Sequence, residues 1–95
     1  MTASAFRVLA LGGDGIGPEV TDAAVTVLEK AAGASGLRID LEHDLLGGAA
    51  YDQHGVFCTE DTVDKAVRAH AVLVGAVGGP KWDQIKIDGG PQDKD

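Results

Sequence analysis

The sequence has a single cysteine, Cys58, in 95 residues. A lone thiol excludes an internal disulfide framework and fits a reducing compartment. Aromatic residues make up only 4% of the chain, so a core has to be built from Val, Leu, Ile and Ala. No apolar run approaches the roughly 18 residues that a membrane span requires. The N-terminal MTASAFRVLAL has no basic stretch ahead of its short apolar run, so it does not read as a secretory signal. Basic side chains are also scarce: 8 Lys and Arg stand against 15 Asp and Glu, for a net charge of −7. That balance argues against a nucleic-acid partner, which normally demands a basic face. These absences predict a soluble, cytoplasmic chain with neither membrane nor nucleic acid as partner.

What is present is ordinary for a globular domain: 44% apolar and 24% charged residues. The exception is glycine, with 14 residues gathered in clusters that mark tight turns. Phe6 to Leu11 form a short, mostly apolar run ending at a glycine cluster, the pattern of a buried parallel strand. Pro18 and Glu19 then suit the first turn of a helix over about 18–32. Val20, Ala23, Ala24, Val27, Leu28 and Ala31 repeat at helical spacing and predict its inward stripe. Leu37, Ile39 and Leu41 alternate with charged residues, predicting a half-buried strand over 37–43, with His43 continuing the inward face. Residues 44–58 are long for a structureless connection, so they either carry a helical turn of their own or have a task.

Thr59 can cap a second main helix over 59–70, with Val63, Ala66 and Val67 inward and charges that match the helix dipole. AVLVGAV (71–77) is continuously apolar and β-branched, which predicts an innermost strand, with 37–43 toward the sheet edge. The order strand–helix–strand–helix–strand predicts an α/β fold, a parallel sheet with flanking helices over about 6–77. Residues 78–95 read as loop and tail. Such a short sheet rarely stands alone, so residues 1–95 are expected to be an incomplete N-terminal portion of one α/β domain.

Two glycine clusters carry the functional signal. GGDGIGPE (12–19) lies between a strand and a helix but is not a Rossmann fingerprint, because Pro18 stands where the third glycine belongs. It is either a structural tight turn or a ligand-facing one. GAVGGPKW (75–82) is not a P-loop, since Lys81 follows Pro80 and precedes Trp82. It lies at the carboxyl end of a strand, where open parallel sheets bind ligands. Gly78 and Gly79 would let a ligand approach the backbone, while Lys81 offers a cation and Trp82 a flat face; the alternative is a simple surface turn. His43, Asp44 and His54 match no compact zinc pattern. Cys58 has no base near it in sequence and reads as an inert thiol.

GGDGIGPEV (12–20), GGAAYDQHG (47–55) and VLVGAVGGPKWD (72–83) together resemble the N-terminal part of isopropylmalate dehydrogenase, within the isocitrate/isopropylmalate dehydrogenase family. The resemblance covers about residues 6–84. It implies a fold that binds NAD without a Rossmann domain. It also implies oxidative decarboxylation of a hydroxyacid: isopropylmalate, in leucine biosynthesis, or an alternative such as tartrate or another 2-hydroxy acid. The family also uses magnesium or manganese and is expected to work as a cytoplasmic homodimer. Carried over by position, Gly78, Gly79, Pro80, Lys81, Trp82 and Asp83 fall at or beside the start of the NAD-binding stretch, which would run to about Gln92. Ile16 would line the cofactor side of the cleft.

The departures matter too. Gly12 stands where the family usually has proline, and the family often has proline near Cys58. After Asp83 the chain reads QIKIDGGPQDKD in place of an Arg-Pro-Glu segment and an arginine-bearing helix. In the family the substrate arginines, the catalytic tyrosine and lysine and the metal-binding aspartates all lie beyond position 95. No catalytic or metal-ligating residue is therefore assigned here, and the 95-residue chain alone is expected to be inactive. The competing expectation is a non-catalytic fragment, or a nucleotide-binding remnant that depends on a partner chain.

Overall fold

The computed structural model describes residues 5–82, 86–87 and 90–91. β1 (Phe6–Gly13), α1 (Gly17–Ala34), β2 (Ile39–Asp44), α2 (Gly48–His54), α3 (Glu60–Arg68) and β3 (Ala71–Ala76) follow in order. A 3₁₀ turn at Pro80–Trp82 precedes a small antiparallel ladder of β4 (Lys86–Ile87) and β5 (Gly90–Pro91), so part of the expected plain tail is paired. The main sheet is parallel with strand order β2-β1-β3. Val8 pairs with Leu41 on one side and Ala71 on the other, and Gly13 pairs with Ala76.

Val8, Leu9, Ala10 and Leu11 are all buried, between 0% and 7% exposed. Successive strand residues point to opposite faces, so four in a row can be buried only if both faces are covered. β1, and not 71–77, is thus the innermost strand. β3 flanks it, with Val72 and Val74 exposed at 42% and 49%. The β-branched run reports a strand suited to two-sided cover but not which neighbours supply that cover.

The helices correct the expected faces as well. α1 buries Gly17, Thr21, Val25 and Ala32, with Ala24 and Leu28 half-buried. Val20 and Val27, expected inward, are 50% and 68% exposed. The cause is close backbone approach at the start of the helix. A Cβ on Gly17 would run into the Gly12 carbonyl and the Ala76 amide, and one on Gly75 would meet Thr21 Oγ1 at 2.5 Å. Small residues let helix and sheet touch there, and this turns the larger valines away.

α3 is capped as expected: Thr59 Oγ1 accepts from the Thr62 amide at 3.1 Å. Its docked residue is Thr62, 2% exposed, whereas Val63 and Val67 are 49% and 79% exposed. Thr62 Oγ1 and Lys65 Nζ both donate to Asp44 Oδ2, at 2.9 and 3.2 Å, so the contact with β2 is polar. His43 is exposed, contrary to the expected inward face. The helix stops at Arg68 because His70 is drawn into pairing with Arg7. The His70 amide donates to the Arg7 carbonyl at 2.8 Å, and the Arg7 amide donates to His70 Nδ1 at 2.9 Å. The 44–58 connection does hold a helix, α2, closed by Gly55 in the left-handed region (φ +79°). Behind it Phe57, 4% exposed, stacks on Tyr51 with ring centroids 5.0 Å apart.

Candidate functional site

Because β1, β2 and β3 are parallel, their carboxyl ends lie on one edge of the sheet. The turn after β1, the start of α2 and the segment after β3 meet there. Gly13, at φ +82°, is packed so closely on β3 that a Cβ would overlap the Ala76 carbonyl. The next residue, Asp14, is only 5% exposed and donates its amide to the Ala76 carbonyl at 2.7 Å. Its carboxylate gathers three backbone donors. Oδ2 accepts from the Gly48 amide at 2.8 Å and the Gly78 amide at 2.9 Å, while Oδ1 accepts from the Ala49 amide at 2.7 Å. Two of these donors are first-turn amides of α2, which lack partners inside the helix and suit an anionic acceptor.

A second carboxylate works from the same helix. Asp52 lies one turn beyond Gly48. Its Oδ2 accepts from Lys81 Nζ at 2.9 Å and its Oδ1 from Trp82 Nε1 at 3.2 Å. The Lys81 hydrogen bond first, and the Trp82 one next, hold the Asp52 carboxyl below its ordinary value. Trp82 lies over Gly48, its ring filling the space a Cβ there would need, and the Lys81 ammonium stands 5.3 Å from the indole centroid. The loop from Gly78 to Trp82 is therefore held at one end by Asp14 and at the other by α2.

Each expected site residue can now be placed. Gly78 is half-buried at φ +99°, and Gly79 is half-buried and accepts from the Trp82 amide at 3.0 Å. Pro80 is exposed and opens the 3₁₀ turn. Lys81 is exposed and bonded to Asp52, while Trp82 bonds Asp52 and covers Gly48. Ile16 is 70% exposed at the tip of the turn that buries Asp14. Asp83 lies outside the described residues. A Cβ on Gly15 or Gly78 would meet nothing within 4 Å, so the backbone at both positions is open to a ligand.

Sequence reasoning missed Asp14 and Asp52. Their partners lie 29 to 64 residues away along the chain, so no local spacing reveals them. The usable signal was an acid inside a glycine turn, where a surface role would have suited many residues.

The remaining candidates separate. Asp44 is occupied by α3: partial burial opposes its charge, but hydrogen bonds from Leu45, Thr62 and Lys65, and the charge of Lys65, outweigh that and hold its carboxyl below the ordinary value. Burial, with the nearby Asp44 charge, pushes the Cys58 thiol up, which suits an unreactive thiol. Among the described residues no three His, Cys, Asp or Glu side chains gather as a metal site. A groove of about 630 Å³ opens elsewhere, beside Arg7, Leu9, Leu41, Lys65 and Arg68. It lies along β1, β2 and α3, away from the glycine loops, and holds no convergent set of unengaged polar groups. No described helix is long and apolar enough to cross a membrane.

Comparison with known proteins places the chain in a family. Residues 7–92 match the family model described as isocitrate/isopropylmalate dehydrogenase. The chain is 54% identical over 86 residues to a 3-isopropylmalate dehydrogenase from Pseudomonas fluorescens, a match covering 90% of this chain and 24% of that protein. In structure it resembles a beta-decarboxylating dehydrogenase from Thermococcus kodakarensis, with TM-score 0.67 and 37% identity, over 79% of this chain and 21% of the other. It also resembles an isocitrate dehydrogenase from Methylococcus capsulatus, with TM-score 0.61 and 31% identity, over 78% and 22% of the two chains. The chain spans about a quarter of the length of the curated relatives it matches. With its α/β core, its linked glycine loops and a family match over nearly its whole length, the chain belongs to the isocitrate/isopropylmalate dehydrogenase family.

Proposed function

We propose that this chain forms the cofactor-side edge of an NAD-dependent dehydrogenase that oxidatively decarboxylates isopropylmalate. The observation that carries this reading is the loop from Gly78 to Trp82. It is fixed by Asp14 and Asp52 at the carboxyl edge of a parallel sheet, in a chain whose relatives include 3-isopropylmalate dehydrogenases. NAD fits what the residues offer: open backbone at Gly15 and Gly78 and an exposed apolar side chain, Ile16, on the neighbouring turn. The chemistry a bound NAD would supply is a hydride acceptor for the substrate carbon that bears the 2-hydroxyl. Magnesium or manganese belongs to the same reading, with ligands from the remainder of a full-length enzyme. The part of this chain is to bind and orient. Gly78, Gly79 and Pro80 present backbone to the cofactor, Ile16 borders it, and Lys81 and Trp82 anchor the loop.

A second reading is a non-catalytic remnant that depends on a partner chain, favoured by the exposure of Val72 and Val74 on β3. One experiment separates the two. Residues 5–82 replace the matching segment of the Pseudomonas fluorescens enzyme, and NAD reduction is followed with isopropylmalate and magnesium. Turnover by the graft, with none from the 95-residue chain alone, supports the enzyme reading. A folded graft that neither binds NAD nor turns over supports the remnant.

A further inference from the structure

We propose that Asp14 is the positioning residue for the cofactor-side loop, acting through backbone amides without touching the cofactor itself. This rests on the reading of that loop as an NAD-binding element. One carboxylate joins segments far apart in the chain: it takes the Gly78 amide where the loop begins and the Gly48 and Ala49 amides where α2 begins. The second link runs through α2. Gly48 is the floor on which the Trp82 ring rests, and Asp52, one turn along, holds Lys81 and Trp82 at the end of the loop. Residues four apart lie on the same side of a helix, so fixing the start of α2 fixes both the floor and the clamp. The loop is thus set directly at Gly78 and indirectly at Trp82 by the same buried side chain.

The arrangement also explains why the position requires a carboxylate. All three partners are N–H donors and use both oxygens. An asparagine has one acceptor oxygen, so its amide NH₂ would face a backbone N–H. Gly47 leaves the room: it sits at φ +76°, and a Cβ there would meet Asp14 Oδ2 at 2.6 Å.

The test is Asp14→Asn in the graft of residues 5–82 into the Pseudomonas fluorescens enzyme. A displaced loop should raise KM for NAD about tenfold, leave KM for isopropylmalate within about twofold and place the loss on KM more than on kcat. A merely structural role would instead lower the active fraction and leave KM for NAD as in the parent, which would overturn the proposal. If the parent graft shows no NAD binding, the functional reading fails, and positioning is judged on Trp82, the chain's sole tryptophan. In the 95-residue chain, Asp14→Asn should shift Trp82 emission to the red and increase its quenching by acrylamide. Emission and quenching like the parent's would overturn the proposal. Should the variant not fold, amide exchange in the parent decides the matter. Slow exchange of Gly48, Ala49 and Gly78 as a group supports the link, and fast exchange at Gly78 beside slow exchange at Gly48 overturns it.

Discussion

Trp82 rests on Gly48, its indole occupying the space that any other residue at position 48 would need for its Cβ. The segment after β3 and the start of α2 therefore share one packing unit, closed from the side by Asp52. Gly48→Ala sets two effects against each other. Alanine improves helix propensity by about 0.5–1 kcal/mol, and overpacking against the ring costs about 1–3 kcal/mol. The second effect should win, displacing Trp82 with a net loss of about 1–2 kcal/mol. A red shift in Trp82 emission with a lower urea midpoint checks this. Unshifted emission would mean the ring does not sit on Gly48.

The Asp52 clamp gives the loop a pH dependence of definite sign. The Lys81 and Trp82 hydrogen bonds lower the Asp52 carboxyl from its ordinary 3.8. A carboxyl depressed in the folded state contributes its stabilisation fully above 3.8 and loses it as pH falls through the folded value. Trp82 emission should stay constant from neutral pH down to about 4 and shift red only below that. Asp52→Asn should abolish the step. A step centred well above 4 would point to a different group.

The seam of α1 is tested by two valines. Val25 is 8% exposed and Val27 68%. Val25→Ala should cost about 1.5–3 kcal/mol and Val27→Ala under about 0.5 kcal/mol, with half-buried Leu28→Ala between them. Urea unfolding of the three variants of the 95-residue chain gives the order. A larger loss at 27 than at 25 would restore the stripe read from the helical repeat.

The two loop glycines should respond differently. Gly78 sits at φ +99°, where a side chain is strained, whereas Gly79 lacks that constraint and a Cβ there would approach the Trp82 ring at 3.2 Å. Gly79→Val should leave the fold intact and weaken NAD binding by about tenfold in the full-length graft, through crowding of the loop. Gly78→Val should cost stability as well. NAD titration beside a thermal scan separates the two. Unchanged NAD affinity in a folded Gly79→Val protein would return this loop to a structural role.

The sequence by itself determined the order of the three main strands and two main helices, the parallel α/β class and the cap at Thr59, because each rests on local chemistry. Apolar runs, helical repeats, a Pro at the start of a helix and a hydroxyl at its cap act over a few residues. It also located both glycine clusters. Tertiary structure alone decided which strand is innermost, since β1 owes its two-sided cover to crossovers on either side. It decided the inward faces of α1 and α3, because glycine contacts at Gly17 and Gly75 and the polar dock at Thr62 outweigh the apolar stripes. It also decided the roles of Asp14 and Asp52. Their hydrogen bonds join residues 29 to 64 positions apart, and a contact across that distance exists only once the sheet has brought the strand ends together.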